Sequence, residues 1–429
     1  METYGFVLLF AVPFFLMLIL IEYFYQWKIG EKFSPSMDSI SSLSSGLTNS
    51  IKDILGLSVS IISYDYMVRN LALFHIESSV FAFIIAFLVL DFQGYWTHRF
   101  QHRINILWNN HIIHHSSEEF NLACALRQSI SSFVNLFTFF LFPCALLGVE
   151  TQVIATVAPL HLFAQFWYHT RYINHLGWLE KIIVTPSHHR VHHAINPVYI
   201  DKNFSQIFIF WDKIFGTFQE ELDHEPPVYG ISRPVRTWNP VKINFQHLFL
   251  LIKDVIRTKN IWDKFTIWFR PTGWRPADVQ EKYAVDKIED VYQYEKFNPP
   301  TETGLIIWSW IQFVFILLNT MFFFGHIAAI GIPNIFFYGF YAFISIYAYT
   351  ELMDRNRNAI FWESIRFFFV VYYLFRTKSW FGIDTWIPYG NELIIGFSII
   401  SWIGSLLYSL KTPQNIYQES KKLSSLRLS

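Results

Sequence analysis

Histidine spacing carries most of the chemistry this sequence could do. His98 and His102 form a His-x3-His pair, His111, His114 and His115 form a His-x2-His-His group, and His189, His192 and His193 form a second such group just after His188. On a helix, residues three and four apart share a face, so each group can aim two or three imidazoles at one point. With 16 histidines in 429 residues, a His-x2-His-His group is expected by chance only about 0.02 times in the chain, and it occurs twice. These eight rings read as metal ligands. Zinc takes about four ligands, so eight or more nitrogens point to two metal ions with four or five each. Neutral imidazole suits iron, copper, zinc and nickel, and ligand type alone does not choose among them. Cys124 and Cys144 are too few for a disulfide framework, an all-cysteine cluster or a zinc ribbon.

The elements that position these rings lie in a membrane protein. Hydrophobic residues make up 52% and charged residues only 15%, against about 25% charged in an average soluble domain. That composition excludes disorder, a coiled coil and a small disulfide scaffold, and the zero net charge gives no reason to expect nucleic acid as a partner. Tyr4 to Ile21 reads as a retained anchor, since no basic segment precedes it. Ser50 to Val68, with Asp53 and Asp65, suits the interface. Ser78 to Trp96 is a span broken only by Asp91. Gln128 to Val149 and Thr151 to Tyr168 read as a helical hairpin, because only Glu150 separates them. Thr303 to Thr350 reads as two spans around Gly331–Asn334, Ile365 to Phe375 as a short re-entrant segment, and Leu393 to Leu410 as a last span.

The expected fold is therefore an all-α, polytopic helical bundle. Its divisions are an anchor region (1–76), a catalytic domain (77–230), an interfacial linker (231–302), a C-terminal membrane bundle (303–412) and a polar tail (413–429). His98 and His102 follow the 78–96 span. The hairpin crosses twice, or dips and returns, and so brings His169 and the last cluster back to the same face. Arg99, Arg103, Arg127, Arg171 and Lys181 near the clusters favour a cytoplasmic catalytic face. A metal transporter would instead place its histidines near the midplane. A zinc hydrolase would use three protein ligands.

At these residues the sequence resembles the fatty acid hydroxylase / sterol desaturase superfamily of membrane non-haem di-iron oxygenases. The resemblance covers about 78–218. It rests on Trp96–Thr–His98 through His102, on His111 through Asn121, on Ala125–Leu–Arg127–Gln128, on Thr185 through His193, and on Asp201–Lys–Asn203–Phe with Trp211–Asp212. The chain is most similar to the alkylglycerol monooxygenase branch. Arg103 departs from the pattern, since closer members usually carry an acid there.

The resemblance implies two iron ions, held by His98, His102, His111, His114, His115, His189, His192 and His193, with His169 as a ninth ligand. It implies dioxygen, a membrane lipid substrate and an external reductant, here tetrahydrobiopterin. The reaction would hydroxylate the ether-linked carbon of an alkylglycerol, and the hemiacetal would break down to a fatty aldehyde and glycerol. A sterol or fatty acyl hydroxylase or desaturase with a different donor is the alternative. A bacterial inner membrane and an endoplasmic reticulum both fit.

Metal-bound histidines need acceptors on their second ring nitrogens. Asp91, Glu118, Asn121, Asp201 and Asn203 are the candidates, and Arg127 and Arg190 could balance carboxylates or hold lipid phosphate. His188 points about 100° from His189 and suits a supporting or structural role. His161 either lines the pocket or is a satisfied buried ring. His75, His175, His224, His247 and His326 lack cluster partners and read as structural.

Overall fold

A computed structural model describes residues 2–77 and 79–411; the 413–429 tail lies outside them. The helices that organise the chain are α1 (Glu2–Lys28), α2 (Ser36–Ile54), α3 (Val80–Arg103), the one-turn α4 (Ile112–His115), α5 (Thr151–Phe163), α6 (Pro186–His193), α7 (Pro240–Arg257), α8 (Ile261–Thr266), α9 (Thr303–Gly325), α10 (Asn334–Met353), α11 (Ala359–Thr377) and α12 (Gly390–Lys411). Among the described residues the only strands are β1 (Val59–Ser60) and β2 (Val134–Asn135), paired in parallel. The all-α expectation holds. Helices α1, α3, α9 and α12 are long and apolar enough to cross a membrane, which makes this a multi-pass membrane protein.

Two compact units form: one from 1–9, 237–239 and 300–429, the other from 10–236 and 240–299. In the second unit the small residues Ala82 and Ala86 of α3 let it pack closely with Leu141, Cys144, Val153 and Val157. Val80, Phe81 and Ile84 of the same helix stay exposed, as a lipid-facing surface requires. The turn before α5 needs Gly148. Its φ is +69°, and a Cβ there would sit 2.0 Å from the Phe74 carbonyl oxygen.

In the first unit α9 to α12 bury Phe313, Phe323, Tyr338, Tyr341 and Trp380. Arg366 pairs with Glu363 inside this unit and donates to Gln312 Oε1 at 3.1 Å.

Several expected spans take another form. The 128–149 stretch is not a helix. The hydroxyls of Ser129, Ser131 and Ser132 hydrogen-bond one another, Val134–Asn135 pairs with β1, and only Phe142–Leu146 closes into an α-helix, opened by Pro143. Helix α5 has 13 residues, about 20 Å at 1.5 Å per residue, short of the roughly 30 Å hydrocarbon core. Neither arm is a helix long enough to span, so the expected double crossing is replaced, and the chain brings His169 beside His114 and His189 without it. The 50–68 stretch divides into the end of α2, β1 and a helix at Tyr64–Leu71. The 365–375 stretch is part of the 19-residue α11, whose buried Glu363 and Arg366 pair with each other. Helix α10 forms after the Gly331–Asn334 turn but is not among the four candidate spans.

Candidate metal centre

Four elements of the second unit bring the rings together. Helix α3 runs unbroken through both His98 and His102, so the pair is fixed to the end of a candidate span. His111 opens the turn of α4, which carries His114 and His115. Helix α6 starts at Pro186, a residue suited to a first helical position, and presents His189, His192 and His193 over its last turns. His169 follows α5.

The nine rings sort into two groups, within each of which the nitrogens lie within 4.8 Å of one another. One contains His98, His102, His111, His115 and His192; the other contains His114, His169, His189 and His193. The groups cut across the sequence clusters. Adjacent residues on a helix point about 100° apart, so His114 and His115 serve different groups. His189 and His193, four apart, serve the same one. His192 turns to the other. The His115 and His193 rings stack at 4.3 Å, where the groups meet.

Within the groups the Nε2 atoms face each other. His98 and His111 are 2.9 Å apart, His115 lies 3.1 Å from both His102 and His192, and His189 lies 2.8 Å from His169 and 3.0 Å from His193. Two nitrogens at right angles, each about 2.1 Å from a shared ion, are about 3.0 Å apart.

The other ring nitrogens decide what these contacts are. His98 Nδ1 donates to the Phe204 carbonyl at 2.8 Å, His192 Nδ1 to Lys202 at 2.9 Å, His169 Nδ1 to Gln165 at 3.1 Å and His114 Nδ1 to Arg127 at 3.2 Å. Each carbonyl takes the proton of a neutral ring, leaving Nε2 with a bare lone pair. His114 and His169 then meet Nε2 to Nε2 at 3.3 Å with no proton to share. A cation between them satisfies both.

Burial, and next the neighbouring rings or the Arg127 charge, keep these imidazoles neutral. His111, His115, His169, His189, His192 and His193 are held well below the usual histidine range, and His114 is pushed down to about 4. A buried set of neutral donors with converging lone pairs fits a bound metal.

The expected supporting residues mostly do other work. Asp91 touches none of the nine rings. Its oxygens accept from the amides of Ile207 and Phe208, from Trp211 Nε1 and from His161 Nε2, all between 2.9 and 3.1 Å. His161 is thus a satisfied buried ring. Glu118 accepts from Tyr294 and from the Phe297 amide. Asn121 accepts from the Cys124 amide and donates to Ser34. His188 accepts from the Thr185 amide at 3.3 Å and closes the start of α6.

Asn203 holds a left-handed turn, at φ 53°, by bonding the His188 and Gln219 carbonyls. Asp201, also left-handed, lies 3.9 Å from His102 Nδ1, beyond hydrogen-bond reach, and pairs with Arg103 at 3.0 Å. Arg127 acts through its carbonyl on His114, while its side chain bonds Asp38, Ser42 and Ser116. Arg190 pairs with Glu221 at 2.6 Å. His175 pairs with Glu180, His247 with the Asn105 carbonyl and His326 with the Phe322 carbonyl.

Two kinds of participant were assigned no role from the sequence, although the second, Asp212, lies in the Trp211–Asp212 motif. The acceptors behind the rings are backbone carbonyls, which any residue supplies. Asp212 works one step further back. It accepts from the Phe204 and Ser205 amides at 2.8 Å each, and from Thr217 at 2.6 Å, so it fixes the peptide that orients His98.

The fatty acid hydroxylase family model matches residues 83–217, the stretch that holds all nine rings. Alkylglycerol monooxygenase of Homo sapiens is 35% identical over 360 residues, covering 83% of this chain and 80% of that protein. The Xenopus tropicalis enzyme of the same name is 31% identical over 422 residues, covering 96% and 90%. An ornithine lipid hydroxylase of Rhizobium tropici is 26% identical over 147 residues, covering 34% of this chain and 43% of that protein. No solved structure matches the chain. The two vertebrate relatives extend well beyond the histidine region to most of both chains, and on that likeness the chain belongs to the alkylglycerol monooxygenase family.

Proposed function

We propose that this chain is a membrane di-iron monooxygenase that hydroxylates the ether-linked carbon of an alkylglycerol, with 77–230 as its catalytic region and tetrahydrobiopterin as reductant. One oxygen atom of dioxygen enters the C–H bond. The other leaves as water with two electrons and two protons drawn from the pterin. The hemiacetal then loses glycerol and leaves a fatty aldehyde. The single observation that carries the reading is the pair of histidine groups, five and four rings whose Nε2 atoms converge, in a chain of this family. An unactivated C–H bond yields to no side chain, so bound iron would supply the redox chemistry that activates dioxygen.

The residues do the rest. The carbonyls of Phe204, Lys202, Gln165 and Arg127 hold four rings in one tautomer. Burial keeps water and protons from the ligand nitrogens. A cavity beside His102, His115, His192 and His193 gives a lipid somewhere to lie. The catalytic face would be cytoplasmic, in an endoplasmic reticulum or a bacterial inner membrane.

Two measurements test this. Anaerobically reconstituted protein should hold about two irons per chain, and His114→Ala and His192→Ala should each lower that content. The loaded protein should release octadecanal from 1-O-octadecylglycerol only with reduced pterin and dioxygen. A hydroxylated acyl or sterol product without aldehyde would replace the substrate reading but keep the iron one. Iron-free protein that turns over would end both.

A further inference from the structure

The cavity beside the imidazoles has a volume of about 410 Å³, and its wall carries charge of mainly one sign. Arg103, Arg233, Arg275 and Lys287 line it, against the single carboxylate Asp201. Arg103 is paired with Asp201 at 3.0 Å. Arg275 donates twice to Asp254, at 2.6 and 2.8 Å, and once to the Tyr283 carbonyl at 2.8 Å. Both oxygens of the fully buried Asp254 are thereby engaged.

Arg233 and Lys287 have no hydrogen-bond or ion-pair partner among the described residues. Lys287 is exposed and water serves it, whereas Arg233 is partly buried beside a second guanidinium. A half-desolvated cation without a counter-ion is costly unless a ligand supplies one. Burial, and then repulsion from Arg275, loosen the hold of Arg233 on its proton, and Asp254 offsets part of this.

One stretch of the remaining wall is apolar, lined by Ile112, Ile195, Ile231 and Leu251, beside the polar Asn105, Ser232, His247 and Thr272. Leu250 and Leu251 enter from α7, whose other face exposes Phe249 and Ile256 and which leads to the exposed Trp262 and Phe265 of α8. Exposed aromatic and aliphatic side chains of this kind suit a lipid interface.

We propose that this cavity is an anion subsite, in which Arg233 holds a phosphate-type group carried on an amphiphile whose chain leads toward the imidazoles. The direction of the chain rests on the lipid-oxygenase reading; the anion contact does not.

The test is a binding titration without turnover. Full-length, metal-loaded protein in dodecyl maltoside is titrated with dodecyl phosphate, with and without inorganic phosphate as competitor. Arg233→Gln should weaken dodecyl phosphate at least about 10-fold, the loss expected when a charge-assisted hydrogen bond goes, and Arg233→Lys should recover part of it. Lys287→Gln, at an exposed position, should weaken it by a smaller factor without disturbing the fold. Competition by inorganic phosphate would identify free phosphate as a sufficient ligand; failure to compete would identify a lipid head group. Wild-type affinity in Arg233→Gln, whatever Lys287→Gln does, or no binding by wild type, overturns the proposal. Aldehyde release can fail while this binding holds, so the two readings fail separately.

Discussion

The nine rings differ from surface histidines in what they do with protons. At pH 5.5 a ring with the ordinary value of 6.5 is about 90% protonated, while one held at about 4, as His114 is, is only about 3% protonated. The site should therefore keep its metal at pH 5.5 and release it toward pH 4, as measured by metal retained after gel filtration; release complete by pH 6 would contradict the burial. The sign for folding is the same. Between pH 6.5 and 4 the folded chain binds fewer protons than the unfolded one. Metal-free protein should thus be most stable above 6.5 and lose stability as the pH falls toward 4. Asp212 gives a second residue-scale outcome. Asp212→Asn removes an acceptor from the Phe204–Ser205 peptide and so loosens His98. Metal affinity should fall toward the low end of about 10–100-fold, read by chelator competition, with the chain still folded.

Among elements, α2 and the 116–127 segment are joined by Arg127, which is 1% exposed and bonds Asp38 at 2.5 Å, Ser116 at 2.7 Å and Ser42 at 2.9 Å. Arg127→Met would strand a buried carboxylate, costing about 3–5 kcal/mol. Thermal unfolding should show that loss, and Asp38→Asn combined with it should restore part.

Helical spacing of three and four is a direct geometric statement, so each histidine cluster was legible as rings sharing a face and His98 and His102 needed nothing more, whereas His169 came only from the family resemblance. The sequence left open which rings would share a group, because that depends on how four separate elements meet. The 128–149 stretch misled because charge-free residues suit a membrane and a buried irregular segment equally; its serines, Asn135 and Pro143 were the signal for the latter. Asp91, expected behind a ligand, instead anchors the 207–211 loop, since only the folded chain brings those amides to it. That α1 is long and apolar enough to cross a membrane was legible from its apolar run, but not that Glu22 near its end would accept from Leu122 and Thr170 beside the rings.

For the whole molecule, four candidate spans predict that the protein stays with membranes through carbonate washing at pH 11 and leaves only with detergent, as fractionation would show; appearance in the carbonate supernatant would refute it. A different consequence follows from the assignment of His114 and His115, neighbours in one turn, to opposite groups. The first ion to arrive would hold that turn in place, and by doing so it would position at least one ring of the second berth before its occupant comes. Stepwise addition of ferrous iron should then give a sigmoidal loading curve with a Hill coefficient above one, and singly filled chains should be scarce at every point along it.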